Sequence, residues 1–148
     1  MSPEGLRTIG IEIYDRWTDL WNLRLADVAD IMAPAFLLRY AQPGTEPMDR
    51  ATQPEDLVEI IKVWHRKRPG ILFKAEGLPV VDLQLKDGAV RGLIARPYLV
   101  SFDGEDGGRI AFSGTDILRV DNRYIVEVWS VSAGAQGRRL YREERGRG

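Results

Sequence analysis

The stretch FSGTDILRVDNRYIVEVWSV, residues 112–131, indicates the fold of this chain. Two runs rich in β-branched and aromatic residues flank the turn sequence DNR, which is the pattern of a β-hairpin. Each run contains one acid, Asp116 in the first and Glu127 in the second. Because a buried, unpaired carboxylate is costly to ionise, either both acids face solvent or the sheet surrounds a cavity that uses them.

The composition limits what the protein can be. The 148 residues are 44% apolar and 29% charged, which is typical of one globular domain. The lack of cysteine excludes disulfides and thiolate chemistry, and the single histidine, His65, excludes a site of several histidines. No run approaches the ~20 apolar residues of a membrane span, and the first residues lack a signal-peptide pattern. We therefore expect a cytoplasmic protein without a membrane span.

Charge is distributed unevenly along the chain. The net charge is −1, but residues 134–148 contain five Arg and two Glu and hold +3, which leaves −4 for the body. An acidic body argues against nucleic acid as the main partner. The sequence predicts one domain over residues 1–133 and a basic, flexible tail over residues 134–148.

Helices are predicted before strands. Helical spacing of apolar residues predicts a first helix from Pro3 to Leu25, a short second helix in residues 26–32 and a third helix in residues 53–70. Strands are predicted in residues 35–41, 71–86 and 89–102 and in the final hairpin, with Pro97 at a bulge or an edge position. This order predicts an α+β fold in which about three N-terminal helices cover one face of a curved antiparallel sheet.

Three segments resemble the SnoaL-like polyketide cyclases, a family in the superfamily of nuclear transport factor 2 and ketosteroid isomerase. They are RWTDLWN (16–22), RPGILFK (68–74) and FSGTDILRV with IVEVW (112–129), and the resemblance extends over residues 8–132. It implies a cystatin-like α+β roll, in which a cone-shaped sheet opens on a deep apolar pocket. It also implies acid–base residues on the sheet, no cofactor or metal, a small hydrophobic ligand and a homodimer formed through the outer sheet face.

The resemblance places Glu127 where SnoaL-like cyclases have their catalytic aspartate, and Asp116 where some members carry a histidine. Strand alternation places Ile125 and Glu127 on one face, and neither face of this strand is cleanly polar. Two interpretations of Glu127 follow. It pairs with an arginine such as Arg96 or Arg119, or it is a pocket carboxylate whose raised pKa suits proton transfer.

Further candidates for substrate contact are aromatic or basic side chains expected near the pocket. They are Tyr14, Trp17, Trp21, Tyr40, Trp64, His65, Arg96 and Trp129. The aromatic residues among them are equally compatible with ordinary core positions, and His65 with a hydrogen-bonded structural role.

Two functions follow from these observations. The first is a cofactor-independent SnoaL-like enzyme in which Glu127 removes a proton next to a carbonyl, while protonated Asp116 or Tyr14 donates to the enolate oxygen. The reaction is then aldol-type cyclisation or isomerisation of a small apolar carbonyl or polyketide-like compound, with epoxide opening as a related alternative. The second function is a non-catalytic domain that uses the same cone to bind a small molecule or to dimerise.

Overall fold

The computed structural model describes residues 1–142 of the chain. The elements in chain order are α1 (Pro3–Trp21), α2 (Val28–Ile31), β1 (Met32–Tyr40), α3 (Pro54–Lys67), β2 (Leu72–Ala75), β3 (Val80–Lys86), β4 (Ala89–Asp103), β5 (Arg109–Asp121) and β6 (Tyr124–Ser132), with short 3₁₀ turns at Leu25–Asp27 and Glu46–Arg50. The helices cover one face of a curved six-stranded sheet, so the predicted α+β class is confirmed.

Helix α1 begins with a capped first turn. The Ser2 hydroxyl accepts a hydrogen bond of 3.0 Å from the backbone amide three residues on, and Pro3 provides a helical backbone angle at the first position. The helix ends at Trp21, earlier than the predicted Leu25, because Leu23 adopts a left-handed backbone with φ of 80°.

The two long helices turn their apolar stripes toward the sheet, as their spacing predicts. Burying these side chains is the main favourable contribution to folding. The buried members are Ile13, Tyr14, Trp17, Leu20 and Trp21 of α1, together with Leu57 and Ile61 of α3.

The strand order is β1-β6-β5-β4-β2, with β3 paired to the other end of β4. Strands β3 to β6 form the predicted antiparallel meander. Strand β1, however, pairs with β6 in parallel, so the sheet is mixed and the predicted wholly antiparallel sheet is wrong. A parallel pair needs a long crossover connection, and the chain through α3 and the meander supplies it.

The predicted strand over residues 71–86 is two strands, β2 and β3, which pair with successive parts of β4. Pro97 lies at the junction, because β2 ends where Ala75 pairs with Tyr98 and β3 begins where Val80 pairs with Ala95. The Glu76 amide donates to the Pro97 carbonyl at 2.9 Å, so the proline ring, which lacks an N–H, faces the gap. At Pro97, β4 therefore has a paired strand, β5, on one side only, which agrees with the edge position, one of the two that the sequence predicts.

The first part of the predicted tail is bonded to the sheet. The Ser113 amide donates to the Arg138 carbonyl at 3.1 Å, and the Leu140 amide donates to the Ser113 hydroxyl at 2.7 Å. This contact forms because β6 ends beside Gly114 and leaves backbone groups of β5 to be satisfied. Residues 138 and 140 are thus bonded to β5, the flexibility predicted for residues 134–148 stays a prediction, and residues 143–148 lie outside the described residues.

Membrane crossing was tested on the same part of the chain. None of the helices within residues 1–142 is long and apolar enough to cross a membrane.

Gly92 in β4 has a φ of 142°, and its α-carbon lies against the backbone carbonyl of Asp82 in β3. We expect Gly92→Ala to lower the free energy of unfolding by about 2–4 kcal/mol, because an added methyl group meets a backbone that cannot move aside. Urea denaturation measures the change. Gly107→Ala is the matched control, since Gly107 also has a positive φ, 83°, but open space around it. Equal losses in the two variants would contradict the role of the clash.

Candidate functional site

A cavity lies between α1, α3 and the helix-covered face of the sheet. Its volume is about 40 Å³, which is room for about three water molecules. Eight of the fourteen lining residues are aromatic, and Asp116 is the one acid among them. The lining residues are Tyr14, Trp17, Thr18, Trp21, Tyr40, Gln42, Trp64, Phe73, Tyr98, Val100, Phe112, Asp116, Ser130 and Ser132.

Asp116 projects into the cavity from β5. Alternation along this strand places Phe112, Gly114 and Asp116 on the helix-covered face. The side chain is almost fully buried, with 6% of its surface exposed. The indole nitrogen of Trp17 donates a hydrogen bond of 2.9 Å to Asp116 Oδ2. The other oxygen, Oδ1, has no hydrogen-bond partner among the described residues.

Burial raises the pKa of Asp116 from its ordinary 3.8 to about 6, because the ionised form loses its hydration. The neighbouring Ser130 hydroxyl and the Trp17 indole lower this pKa by smaller amounts. Ser130 is the register partner of Asp116 on β6. Its hydroxyl lies near the carboxylate, yet neither Ser130 Oγ nor Asp116 Oδ1 meets hydrogen-bond geometry with a described group. Because its pKa is about 6, the Asp116 carboxylate is ionised at neutral pH and is more basic than an aspartate in water.

Three tyrosines surround this carboxylate. Burial, with a contribution from the charge of Asp116, raises the pKa of Tyr14, Tyr40 and Tyr98 above the ordinary value. All three hydroxyls consequently stay protonated at physiological pH and can donate. The Tyr14 hydroxyl already donates to the Arg96 backbone carbonyl at 3.0 Å. The ring of Tyr98 lies over Gly114, its partner in β5, so any residue larger than glycine at position 114 would displace the tyrosine ring.

Buried polar atoms without partners are concentrated at this cavity. In the part of the chain that the structure describes, six buried side-chain nitrogen or oxygen atoms have no hydrogen-bond partner. Four of the six belong to lining residues: Trp21 Nε1, Gln42 Oε1, Asp116 Oδ1 and Ser130 Oγ. Because such atoms are rare and costly in folded proteins, their grouping marks a place for polar atoms of a ligand or for water.

Glu127 lies on the outer face of the sheet, so its predicted position in the pocket is wrong. Val120 pairs with Ile125 but Arg119 pairs with Glu127, which leaves Val126 as an extra residue in a β-bulge. The bulge breaks simple alternation and places Ile125 in the core and Glu127 on the opposite face.

The structure shows that Glu127 pairs with arginines, which is the first of the two interpretations left open by the sequence. Its two carboxylate oxygens accept hydrogen bonds from Nε of Arg119, at 2.9 Å, and Nε of Arg39. The hydrogen bonds from Arg39 and then Arg119 hold the pKa of Glu127 below its ordinary value. Glu127 therefore forms a structural ion pair with Arg39 and Arg119, and it does not line the cavity.

Three other predicted contact residues also lie away from the cavity lining. His65 Nε2 is 2.7 Å from the Trp21 carbonyl oxygen, so the histidine fastens α3 to the end of α1. Arg96 donates to the carbonyl of Gly77 at 2.9 Å and to that of Glu76 at 3.3 Å, outside the cavity. Trp129 is partly exposed on the outer sheet face, because it shares the strand parity of Glu127.

Six predicted site residues do line the cavity: Asp116, Tyr14, Trp17, Trp21, Tyr40 and Trp64. Sequence analysis missed the contributions of β2, β4 and β6, which include Phe73, Tyr98 and Ser130. The strand parity of Phe112 with Asp116 was a usable signal, whereas Tyr98 is revealed only by the register of β4 against β5. No group of three or more His, Asp or Glu residues within 1–142 is arranged to hold a metal ion.

The buried Asp116 predicts a pH-dependent cost in stability. Its pKa in the folded state exceeds that in the unfolded state, so its contribution to stability is full below pH 3.8 and is lost as the pH rises through about 6. The loss is about 3 kcal/mol at ~1.4 kcal/mol per pKa unit. We expect Asp116→Asn to be more stable than wild type at pH 8, with the difference shrinking toward pH 4 in urea denaturation. An unchanged difference across this range would contradict the raised pKa.

Glu127 predicts the opposite pH dependence. Because its pKa is lowered in the folded state, its contribution to stability is present above the ordinary value of 4.5 and is lost as the pH falls through the folded value. We expect Glu127→Gln to be less stable than wild type at pH 7, with the two proteins converging in acid. Thermal unfolding at several pH values measures this, and a stabilised variant at pH 7 would refute the ion-pair role.

Comparisons with known proteins were made by family, by sequence and by structure. No family model matches this sequence. No curated protein matches it either.

Solved structures do match. A candidate polyketide cyclase from Acidithiobacillus ferrooxidans is 19% identical with a TM-score of 0.64, over 89% of this chain and 91% of that one. A SnoaL-like polyketide cyclase from Agrobacterium tumefaciens strain C58 is 15% identical with a TM-score of 0.59, over 83% and 90%. A candidate isomerase of the SnoaL-like family from the same strain is 17% identical with a TM-score of 0.60, over 84% and 97%.

These three matches agree on architecture, while two of the names state a polyketide cyclase and the third an isomerase. Identities of 15–19% carry the fold and not the reaction. The fold predicted from the hairpin and the aromatic first helix is confirmed: this chain has the cone-shaped α+β fold of the SnoaL-like polyketide cyclases.

Proposed function

We propose that this protein is a cofactor-independent acid–base enzyme in which Asp116 removes a proton next to the carbonyl group of a small, largely apolar substrate. The observation that carries the proposal is a buried carboxylate of a cavity-lining residue, with one oxygen held by Trp17 and the other without a hydrogen-bond partner among the described residues. The reaction classes that fit are isomerisation and aldol-type cyclisation.

The environment of Asp116 suits a base. A general base works best when its pKa lies near the working pH, and burial raises the pKa of Asp116 to about 6. Trp17 fixes the orientation of the carboxylate, which leaves the free oxygen directed at the bound molecule. Asp116 thus replaces Glu127 in the role of base, because Glu127 lies on the other face of the sheet.

The developing enolate oxygen needs a hydrogen-bond donor. The indole N–H of Trp21 is buried without a partner at the cavity, and a donor of this kind needs no reorganisation when charge develops on the substrate. The hydroxyls of Tyr40 and Tyr98 line the same space. Tyr14, the donor expected from the sequence, is committed to the Arg96 carbonyl and is the weaker candidate.

A second candidate function is non-catalytic binding of a small molecule. The small cavity volume, about 40 Å³, favours it, because little more than a few waters fits without movement. Epoxide opening has less support, since the described lining residues include no arginine and no second carboxylate.

Assembly and location remain predictions. The outer sheet face exposes Leu37, Ile117, Trp129 and Val131 side by side, which fits the expected homodimer. The cytoplasmic location and the lack of a nucleic-acid partner remain expectations from composition and charge.

We expect the protein to accelerate exchange of the α-protons of butanone with deuterium in D₂O, measured by proton NMR. Asp116→Asn should slow this exchange by about 10²–10⁴-fold, the usual contribution of a general base. The wild-type rate should fall below pH 6 as the base is protonated, because the pKa of Asp116 is about 6.

Glu127→Gln is the matched control, because it removes an acid of the same hairpin that does not line the cavity. It should exchange the ketone protons at the wild-type rate. Exchange that is equal in wild type and Asp116→Asn would refute the proposed base and leave the binding function.

A further inference from the structure

The cavity at Asp116 is far smaller than ordinary small-molecule sites. Its volume of about 40 Å³ compares with the ~300–1,000 Å³ usual for ligand pockets. A ketone of a few heavy atoms fills it, and a ring system does not. A substrate of ordinary size must therefore use a second space that connects to this one.

One residue, Trp64, lines both the cavity and a larger groove. The ring of Trp64 lines the cavity and also lines a surface groove of about 310 Å³ between α3 and residues 44–48. We call this the α3 groove. Its lining residues are Gly44, Thr45, Pro47, Met48, Glu59, Ile60, Val63, Trp64, Lys67 and Arg68.

Trp64 is placed so that it can move without unfolding the core. The fully buried Leu57 and Ile61 anchor α3 to the sheet, whereas Trp64, one turn later, is only half-buried. On the cavity side the indole forms an edge contact with Trp21, at 6.0 Å between ring centroids, and packs against buried residues of both hydrophobic clusters. On the groove side the guanidinium of Arg68 lies 3.8 Å from the ring centroid.

Arg68 has no partner for its charge in the described structure. Its guanidinium forms no hydrogen bond or ion pair within residues 1–142 beyond its stacking on Trp64. Lys67 adds a second positive charge to the groove, while Glu59 faces Lys62 at 3.5 Å. A planar guanidinium without an anion, beside an apolar groove, is suited to a carboxylate.

We propose that Trp64 is a movable partition and that the α3 groove binds the distal part of the substrate, which is an elongated ketone carrying a carboxylate at the end opposite its carbonyl group. The carbonyl end enters the Asp116 cavity, and the carboxylate binds Arg68. This inference rests on the proposed function for the role of the carbonyl end.

The two parts of the proposal are physically coupled. A carboxylate binds the N–H groups at the edge of the Arg68 guanidinium, which stacking of its face on Trp64 leaves available, and an anion seated in the groove shifts the guanidinium toward itself. This shift weakens the stacking contact on the groove side of Trp64, which lowers the cost of rotating the ring away from its neighbours in the two hydrophobic clusters. Substrate binding thereby favours the open partition, in the manner of any ligand that binds one conformation better.

The first experiment tests the anion site. The probe is 4-(3-oxobutyl)benzoate, with its methyl ester as the neutral equivalent, and calorimetry measures affinity at low salt. We expect Arg68→Met to weaken binding of the acid at least tenfold and to leave the ester unchanged. Arg66→Met is the matched control, since Arg66 lies on the same helix outside the groove lining, and it should bind both as wild type does. Equal effects of the two substitutions on the acid would overturn the anion site.

The second experiment tests the partition. The measured quantity is the ratio of the affinity for the methyl ester to the affinity for butanone. Trp64→Ala should raise this ratio about tenfold, because the elongated ester no longer has to displace the indole. Trp129→Ala, on the outer sheet face, should leave this ratio unchanged. Trp64→Leu repeats the test if the alanine variant does not fold. A ratio that stays constant in the folded Trp64 variant would overturn the partition.

The failure of this inference can be told from failure of the proposed function. If Asp116→Asn loses ketone exchange while Arg68→Met and Arg66→Met bind the acid alike, the base stands and the groove does not. If Asp116→Asn retains exchange while Arg68→Met selectively loses the acid, the groove stands as a binding site and the proposed base falls.

Discussion

The hydrogen bond from the Trp17 indole to Asp116 joins the first helix to the middle of the sheet, and the cavity forms around it. It connects residues 99 positions apart in the chain. A carboxylate at this depth is tolerated only with such a partner, because its desolvation is otherwise uncompensated. The bond satisfies one oxygen, while the other has no hydrogen-bond partner among the described residues.

The final hairpin places two acids in opposite electrostatic settings. Burial raises the pKa of Asp116, whereas the hydrogen bonds from Arg39 and Arg119 lower the pKa of Glu127. The cause of the division is geometric. A bulge at Val126 shifts the strand by one residue, so that the two carboxylates lie on opposite faces of the same sheet. Of the two, only Asp116 lines the cavity.

The cavity combines strong polarity with little space. Unpartnered atoms of Trp21, Gln42 and Ser130 surround the carboxylate, yet the aromatic rings close most of the volume. A fold of this kind is compatible with many reactions, so the chemistry has to be argued from these atoms. The half-buried Trp64 lines both this cavity and the larger α3 groove.

The sequence by itself determined the α+β class, the helical stripes and the hairpin. These follow from local periodicity, which one strand or one helix expresses without reference to the rest of the chain. Only the tertiary structure decided the parallel pairing of β1 with β6, the gap opposite Pro97 and the outward position of Glu127. Each of these depends on which residues of separate strands lie opposite one another, and a one-residue change in that register moves a side chain to the other face of the sheet.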